Sequence, residues 1–353
     1  MSQVRRRPKN MAPQPKPSIA ATDAFSTRRI AMKNGMGATN AKGPRPIGGN
    51  AAHIISELAA TSAIGTMTGQ DRPGVPIRSV RSTGADTIAA MDDLSVAVEA
   101  AQAGAAIIRD HFGSPPTAEY KTRFDPVTAV DRAAEKAIIA VLADHRPNDA
   151  VLAEEEGGAL LTGRQWIVDP LDGTVNFVHS IPQVSVSIAL YDGTTGLVGV
   201  VHDALRDEVF TATKGQGAHC NGEAISVSST ADLSTAVVAT GFPYDHDVHA
   251  DSLSVVVREM LRHVNGLRRF GSAALDLAWT AAGRFDAYWE LGIAPWDGAA
   301  GMVLVREAGG SVTDPFGAES DPSNPLVVAS NGTLHEAIRE IVDEFCPPHL
   351  RPL

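Results

Sequence analysis

Gln165-Trp166-Ile167-Val168 is a short apolar run with the look of a buried strand, and Asp169-Pro170-Leu171-Asp172-Gly173-Thr174 follows it without a break. The two carboxylates therefore sit at a strand's end. The proline fixes the turn and the glycine lets the backbone come close to a ligand, which makes a compact oxygen-rich corner suited to a hard divalent cation. Gly173-Thr174-Val175-Asn176-Phe177 can open a helix, whose first N–H groups lack intrahelical acceptors and suit an anion such as phosphate. Taken alone, the segment also fits an ordinary Asp-Gly turn between two elements.

The surrounding pattern is layered helix and sheet. Apolar spacing predicts a helix from Leu94 to Phe112, stopped by Gly113 and the prolines 115 and 116, and a second through Arg132, Glu135, Ile138, Ile139 and Leu142 that ends before Pro147. Strands are expected at Ala150–Ala153, Gln165–Val168, Val184–Tyr191, Gly196–His202 and Glu208–Thr213, with Gly-containing turns between several of them. Beyond Ser234 the pattern alternates, with strands near 235–240, 267–270, 286–290, 311–313 and 326–329. Helices are expected near 249–264, 272–283, 297–308 and 333–345.

Charge divides the chain. Residues 1–90 hold 13 Lys+Arg against 4 Asp+Glu, whereas the remainder holds 17 against 37. The basic part, which includes Arg5-Arg6-Arg7, has no sustained helical or strand period and reads as a disordered extension. It could contact nucleic acid, or be a plain tail, or lie upstream of a true start at Met91. No apolar run approaches the ~20 residues that cross a bilayer, so a cytoplasmic location without membrane contact is expected. Two cysteines, Cys220 and Cys346, are too few for a disulfide framework or a zinc knuckle, and any metal here needs oxygen ligands.

Three more acidic clusters lie where strands end or helices begin. Glu154-Glu155-Glu156-Gly157-Gly158 follows a predicted strand, and its three carboxylates repel unless a cation is near; a solvated turn is the plain alternative. Asp125-Pro126-Val127-Thr128-Ala129-Val130-Asp131 and Pro295-Trp296-Asp297-Gly298-Ala299-Ala300-Gly301 each place an aspartate at a helix entrance, where capping alone would explain it.

In their order along the chain, these clusters and Glu307-Ala308-Gly309-Gly310 resemble the inositol monophosphatase family of Mg2+-dependent, lithium-sensitive phosphatases, over about Asp92 to Phe345. The resemblance implies a layered αβαβα sandwich of the inositol monophosphatase and fructose-1,6-bisphosphatase type, with an α+β half over 91–230 and an α/β half over 231–353. It implies two or three Mg2+ ions. Glu154, Asp169 and the Leu171 carbonyl would bind the first, and Asp169, Asp172 and Asp297 the second. Asp131 and Thr174 would orient a water, the Gly173 and Thr174 N–H groups would hold phosphate, and Glu155 would support the metal ligands while Glu156 faces solvent. Glu290, Ser272, Ala273 and Asp297 would face the leaving alcohol, near Tyr244 in Thr240-Gly241-Phe242-Pro243-Tyr244-Asp245.

The lysine that precedes this family's Asp-x-Val-Thr segment is displaced by one residue here, at Lys121, and Arg268 and Arg269 are open between a second-phosphate role and a surface role. The implied substrate is a small phosphorylated polyol, inositol monophosphate first, on the strength of Asn176-Phe177, Glu290 and Ala299-Ala300-Gly301. Histidinol phosphate, fructose 1,6-bisphosphate and adenosine 3',5'-bisphosphate are the alternatives within the fold. A homodimer is implied as well. A regulatory protein that binds RNA or the transcription machinery through the basic extension is the alternative of another class.

Overall fold

The computed structural model describes residues 91–114 and 117–347, all within one unit, Thr83–Leu353. The basic segment 1–90, and the expectations attached to it, lie outside the described residues.

Seven helices are described: α1 Asp93–His111, α2 Ala129–His145, α3 Thr174–Val178, α4 His246–His263, α5 Ala273–Ala281, α6 Pro295–Glu307 and α7 His335–Phe345. A hairpin of β1 Glu119–Thr122 and β2 Asp125–Val127 precedes the main sheets. The large sheet runs in chain order through β3 Ala150–Ala153, β4 Arg164–Asp172, β5 Ser185–Asp192, β6 Thr195–Asp203, β7 Glu208–Thr213, β8 Ala218–Cys220 and β9 Glu223–Ile225, and only β3 and β4 are parallel. The second sheet comprises β10 Val237–Thr240, β11 Gly266–Arg268, β12 Ala287–Leu291, β13 Ser311–Thr313 and β14 Leu326–Ser330, ordered β11-β10-β12-β14-β13.

Three apolar clusters stack the layers. α1 and α2 bury Val96, Ala100, Ile138 and Leu142 against Trp166, Val186 and Ile188 on the outer face of the large sheet. On its inner face, Ile167, Ala189 and Val201 meet Leu277, Ala300 and Leu304 of α5 and α6, which also cover Tyr288 and Val327 of the second sheet. The far face of that sheet packs Val238, Trp289 and Val328 on α4 and α7 through Val256, Met260 and Ile338. The order is therefore helix, sheet, helix, sheet, helix, the αβαβα sandwich. The predicted main elements appear, with ends shifted by a few residues. The hairpin, β8 and β9 are additions, each too short for a periodic pattern to show, and the helix expected to open at Gly173 is the five-residue α3.

Two packing details position the rest. Asp92 caps α1 by accepting from Ser95 N–H at 2.7 Å, and the Asp93 carboxylate accepts from Arg146 Nε and Arg164 Nη2, both at 2.8 Å, which ties α1, α2 and β4 together. α6 sits close on β6 because Gly199 lacks a side chain: a Cβ there would lie 2.6 Å from the Ala300 carbonyl oxygen. Gly199→Val is expected to destabilise the fold by about 2–3 kcal/mol through overpacking. Differential scanning calorimetry should show Tm lowered by roughly 5 °C or more for a domain of this size.

Candidate active site

Strand parity decides where the hexapeptide points. Trp166 and Val168 face the outer layer and Ile167 the inner one, so plain alternation would put Asp169 inward and Asp172 outward. The ladder with β5 instead slips between Asp169 and Asp172, and Leu171 joins the outer core. This bulge, at Pro170 where a missing N–H costs nothing, returns Asp172 to the inner face beside Asp169. The predicted strand ended at Val168; the observed β4 continues through Asp172.

Both aspartates meet α5 and α6. Asp172 accepts from Ser272 Oγ at 2.5 Å, Ala274 N–H at 2.9 Å, Ala273 N–H at 3.3 Å and Ser185 Oγ at 3.3 Å, so the start of α5 holds it. Burial still raises it to about 6. Asp297, in the first turn of α6, lies close enough to Asp169 to share a hydrogen bond, and burial plus the neighbouring carboxylates raise both well above the ordinary range. Asp169 Oδ1 also accepts from Leu171 N–H at 2.9 Å.

Glu154 arrives from the end of β3. Both carboxylate oxygens of buried Glu135 accept from Glu155 and Glu156 N–H groups at 2.8 Å, and this fixes the turn that carries it. Burial pushes Glu154 up to about 7, and Lys121 pulls the other way from 2.8 Å. Lys121 Nζ also lies 2.6 Å from Glu155, while Glu156 is exposed. The β1–β2 register slips between Tyr120 and Thr122, at Lys121 itself, and the displaced lysine reaches the acidic turn. Among the described residues no three His, Cys, Asp or Glu side chains converge on one point at ligand distance. Glu154 is turned to Lys121 and Asp172 to Ser272, and the Leu171 carbonyl accepts from Thr174 Oγ1 at 3.1 Å.

Asp131 is not the cap of α2; that is Thr128. Asp131 closes the capping box, its Oδ2 accepting from Thr128 N–H at 2.9 Å and Thr128 Oγ1 at 2.5 Å. Its other oxygen accepts from Thr174 Oγ1 at 3.0 Å, which leaves one hydroxyl proton shared between Asp131 and Leu171. Gly173 caps α3 at φ 93°, and a Cβ there would lie 2.7 Å from the Gln183 carbonyl oxygen, so only glycine fits.

A cleft opens beside these groups, lined by Asp172, Gly173, Thr174, Tyr244, Arg269, Ser272, Ala273, Asp276, Tyr288, Glu290 and Asp297 among others. Tyr288 Oη donates to Glu290 Oε2, and Gly241 has no room for a Cβ against that carboxylate. Burial raises Glu290 to about 7. Ser272, expected to face the leaving alcohol, turns its hydroxyl to Asp172 because the buried carboxylate needs donors. Asn176 Nδ2 donates to the carbonyls of Gln183, Phe270 and Gly271, and Phe177, Ala299 and Ala300 are core residues, so of the segments read as inositol markers only Glu290 lines the cleft. Arg268 is exposed and bonds its neighbour Leu267, whereas Arg269 lines the cleft with its guanidinium over the Phe242 ring. Glu135 and Asp276 stand outside the acidic clusters that the sequence marks, although Asp131 and Glu135 lie one helical turn apart on α2 and so share a face.

The architecture is thus a five-layer αβαβα sandwich in which buried carboxylates and a polar cleft lie where α5 and α6 meet the large sheet. The chain belongs to the inositol monophosphatase family, whose profile matches residues 91–345. That family is generally Mg2+-dependent and acts on small phosphorylated substrates. The chain is 41% identical over 249 residues to the Nus factor SuhB of Escherichia coli K12, covering 69% of this chain and 93% of that protein. It is also 41% identical over 254 residues to the inositol-1-monophosphatase of Mesorhizobium japonicum, covering 70% and 95% respectively. The solved IMPase of Thermotoga maritima superposes with a TM-score of 0.67 at 36% identity, over 72% of this chain and 98% of that one. No helix of the described residues is long and apolar enough to cross a membrane.

Proposed function

We propose that the protein hydrolyses a phosphorylated polyol, inositol monophosphate foremost, in the cleft between Asp172 and Glu290. The observation that carries this is the placement of Asp169, Asp172, Asp297 and Glu154 beside the Asp131–Thr174 pair and next to a cleft lined with hydrogen-bonding groups. The donor set fits Mg2+: it is all oxygen, and its mutually raised carboxylates need positive charge. Glu154, Asp169 and the Leu171 carbonyl would hold one ion, and Asp169, Asp172 and Asp297 a second, with rotation of Glu154 away from Lys121. Bound Mg2+ would neutralise phosphoryl oxygens and lower the pKa of an attacking water.

The chain's own groups do the rest. Asp131 accepts a hydrogen bond from the Thr174 hydroxyl, so the Thr174 oxygen can in turn accept from a water and fix its orientation. The N–H groups of Gly173 and Thr174, at the start of α3, donate to phosphate oxygens. Ser185, Ser272, Ala273 and Ala274 hold Asp172 in place, and Glu290 accepts from hydroxyls of the alcohol. A homodimer, a cytoplasmic location and lithium inhibition come with the same reading, from the family resemblance. Turnover of inositol 1-phosphate against histidinol phosphate, fructose 1,6-bisphosphate and adenosine 3',5'-bisphosphate under matched Mg2+ tests it. Faster turnover of any rival moves the assignment there.

Lys121 gives a finer prediction. In the metal-free protein Lys121 opposes the upward push of burial on Glu154, so Lys121→Met should move the acid limb of Mg2+ binding up by about one pH unit, the equivalent of ~1.4 kcal/mol. An acid limb that stays in place would show that Lys121 does not govern Glu154.

The relatives named as Nus factors support a second reading, in which the chain also serves transcription through a protein or RNA partner. The excess of basic residues in 1–90 suits RNA. Salt-sensitive RNA binding that disappears when residues 1–90 are deleted would support it, and binding unaffected by the deletion would remove the extension from it.

A further inference from the structure

Among the residues that line the cleft with Glu290 is a carboxylate with no assigned task. Asp276 sits in the first turn of α5, is 1% exposed, and its Oδ1 has no hydrogen-bond partner among the described residues. Its side chain borders the same cleft as Glu290, Tyr288 and Arg269. The helix start favours an acidic residue there, yet it supplies no donor to Oδ1. Its charged neighbours make matters worse: Asp172 and Glu290 repel it, and Arg269, the one cationic side chain lining the cleft, is committed to the Phe242 face without a hydrogen bond to Asp276. Buried polar atoms in native proteins are nearly always paired, so an orphan beside a cleft calls for a partner, which a ligand can supply. Water-like donors that fit are the hydroxyls of a polyol, each able to donate to a carboxylate while accepting from a guanidinium such as Arg269.

We propose that Asp276 is a substrate-binding residue that accepts a hydrogen bond from a hydroxyl of the leaving alcohol remote from the phosphate, with Arg269 as the donor facing it. The cleft then selects phosphorylated polyols over esters of alcohols that carry no second hydroxyl. This rests on the phosphatase reading above and extends it to a residue outside the acidic clusters.

The test compares inositol 1-phosphate with phenyl phosphate, which has no hydroxyl to offer, using the full chain with Mg2+. In Asp276→Ala the ratio of kcat/KM for inositol 1-phosphate to that for phenyl phosphate should fall at least tenfold, mainly through KM for the polyol. Asp276→Asn, which keeps one acceptor oxygen and the shape, should recover most of the ratio. The Tm of ligand-free Asp276→Ala should equal or exceed that of the parent, since an unpaired buried carboxylate is removed. An unchanged ratio overturns the proposal, and so does a marked fall in Tm, which would mean the carboxylate is satisfied structurally. If the parent protein hydrolyses neither ester, the phosphatase reading fails and takes this inference with it; if it hydrolyses inositol 1-phosphate and the ratio is unmoved, only Asp276 loses its role.

Discussion

Asp169→Asn is expected to reduce kcat by about 10^3-fold or more while leaving the protein folded and no less stable. Metal-borne charge stabilisation in phosphoryl transfer is worth several kcal/mol, at about 1.4 kcal/mol per decade of rate. Asp169 is the residue assigned to both ions, so its loss should cost more than loss of Glu154 or Asp297. Stability should move the other way. Asp169 is 2% exposed and faces Glu154, Asp297 and Asp172, and removing one of these like charges relieves repulsion that burial strengthens. Asn keeps the acceptor for Leu171 N–H at 2.9 Å, so the bulge that aims both aspartates inward survives. Single-turnover rates with inositol 1-phosphate and a melting curve without added metal read the two halves. Retention of near-parental kcat would remove the two-ion assignment, and a large fall in Tm would mean that Asp169 is held for structure.

Sequence made the strands, the long helices and the acidic clusters legible because each depends on local pattern. The run Trp166–Val168 is apolar on both faces, and the large sheet is indeed covered on both faces by helices. Parity was out of reach. Whether Asp172 points with Asp169 or against it depends on the bulge, and that is set by the partner strand at Ser185 and Ser187. Long-range pairings were equally hidden: Ser272 serves Asp172 from 100 residues away, and Lys121 reaches Glu154 from 33. Motif position alone assigned Ser272, Asn176 and Ala299 to the substrate, yet packing gives the last two to the interior and turns the Ser272 hydroxyl to a carboxylate. Asp276 resembles any acidic residue in a first helical turn until its missing partner is seen in three dimensions.

Chelation should abolish hydrolysis, Mg2+ should restore it, and the stabilisation that Mg2+ confers should grow with pH. In the folded protein, burial raises Asp172 to about 6 and Glu154 to about 7, and Asp169 and Asp297 higher than ordinary carboxylates. The unfolded chain releases the same protons near about pH 4. Between these limits the folded state binds more protons, so without metal the contribution of these groups is full below about pH 4 and is lost as pH rises through about 6 and 7. Mg2+ requires the ionised carboxylates, and its affinity rises over the same interval. The difference in Tm between Mg2+ and chelator should therefore be small at about pH 5 and largest at about pH 8, where Mg2+ at one hundred times its Kd adds ~2.7 kcal/mol. In Asp169→Asn the difference should shrink at every pH, because one carboxylate that would hold the ions is gone. A gap in Tm that is constant with pH would mean that the ion binds away from these carboxylates, and hydrolysis that survives chelation would mean that the reaction does not need it.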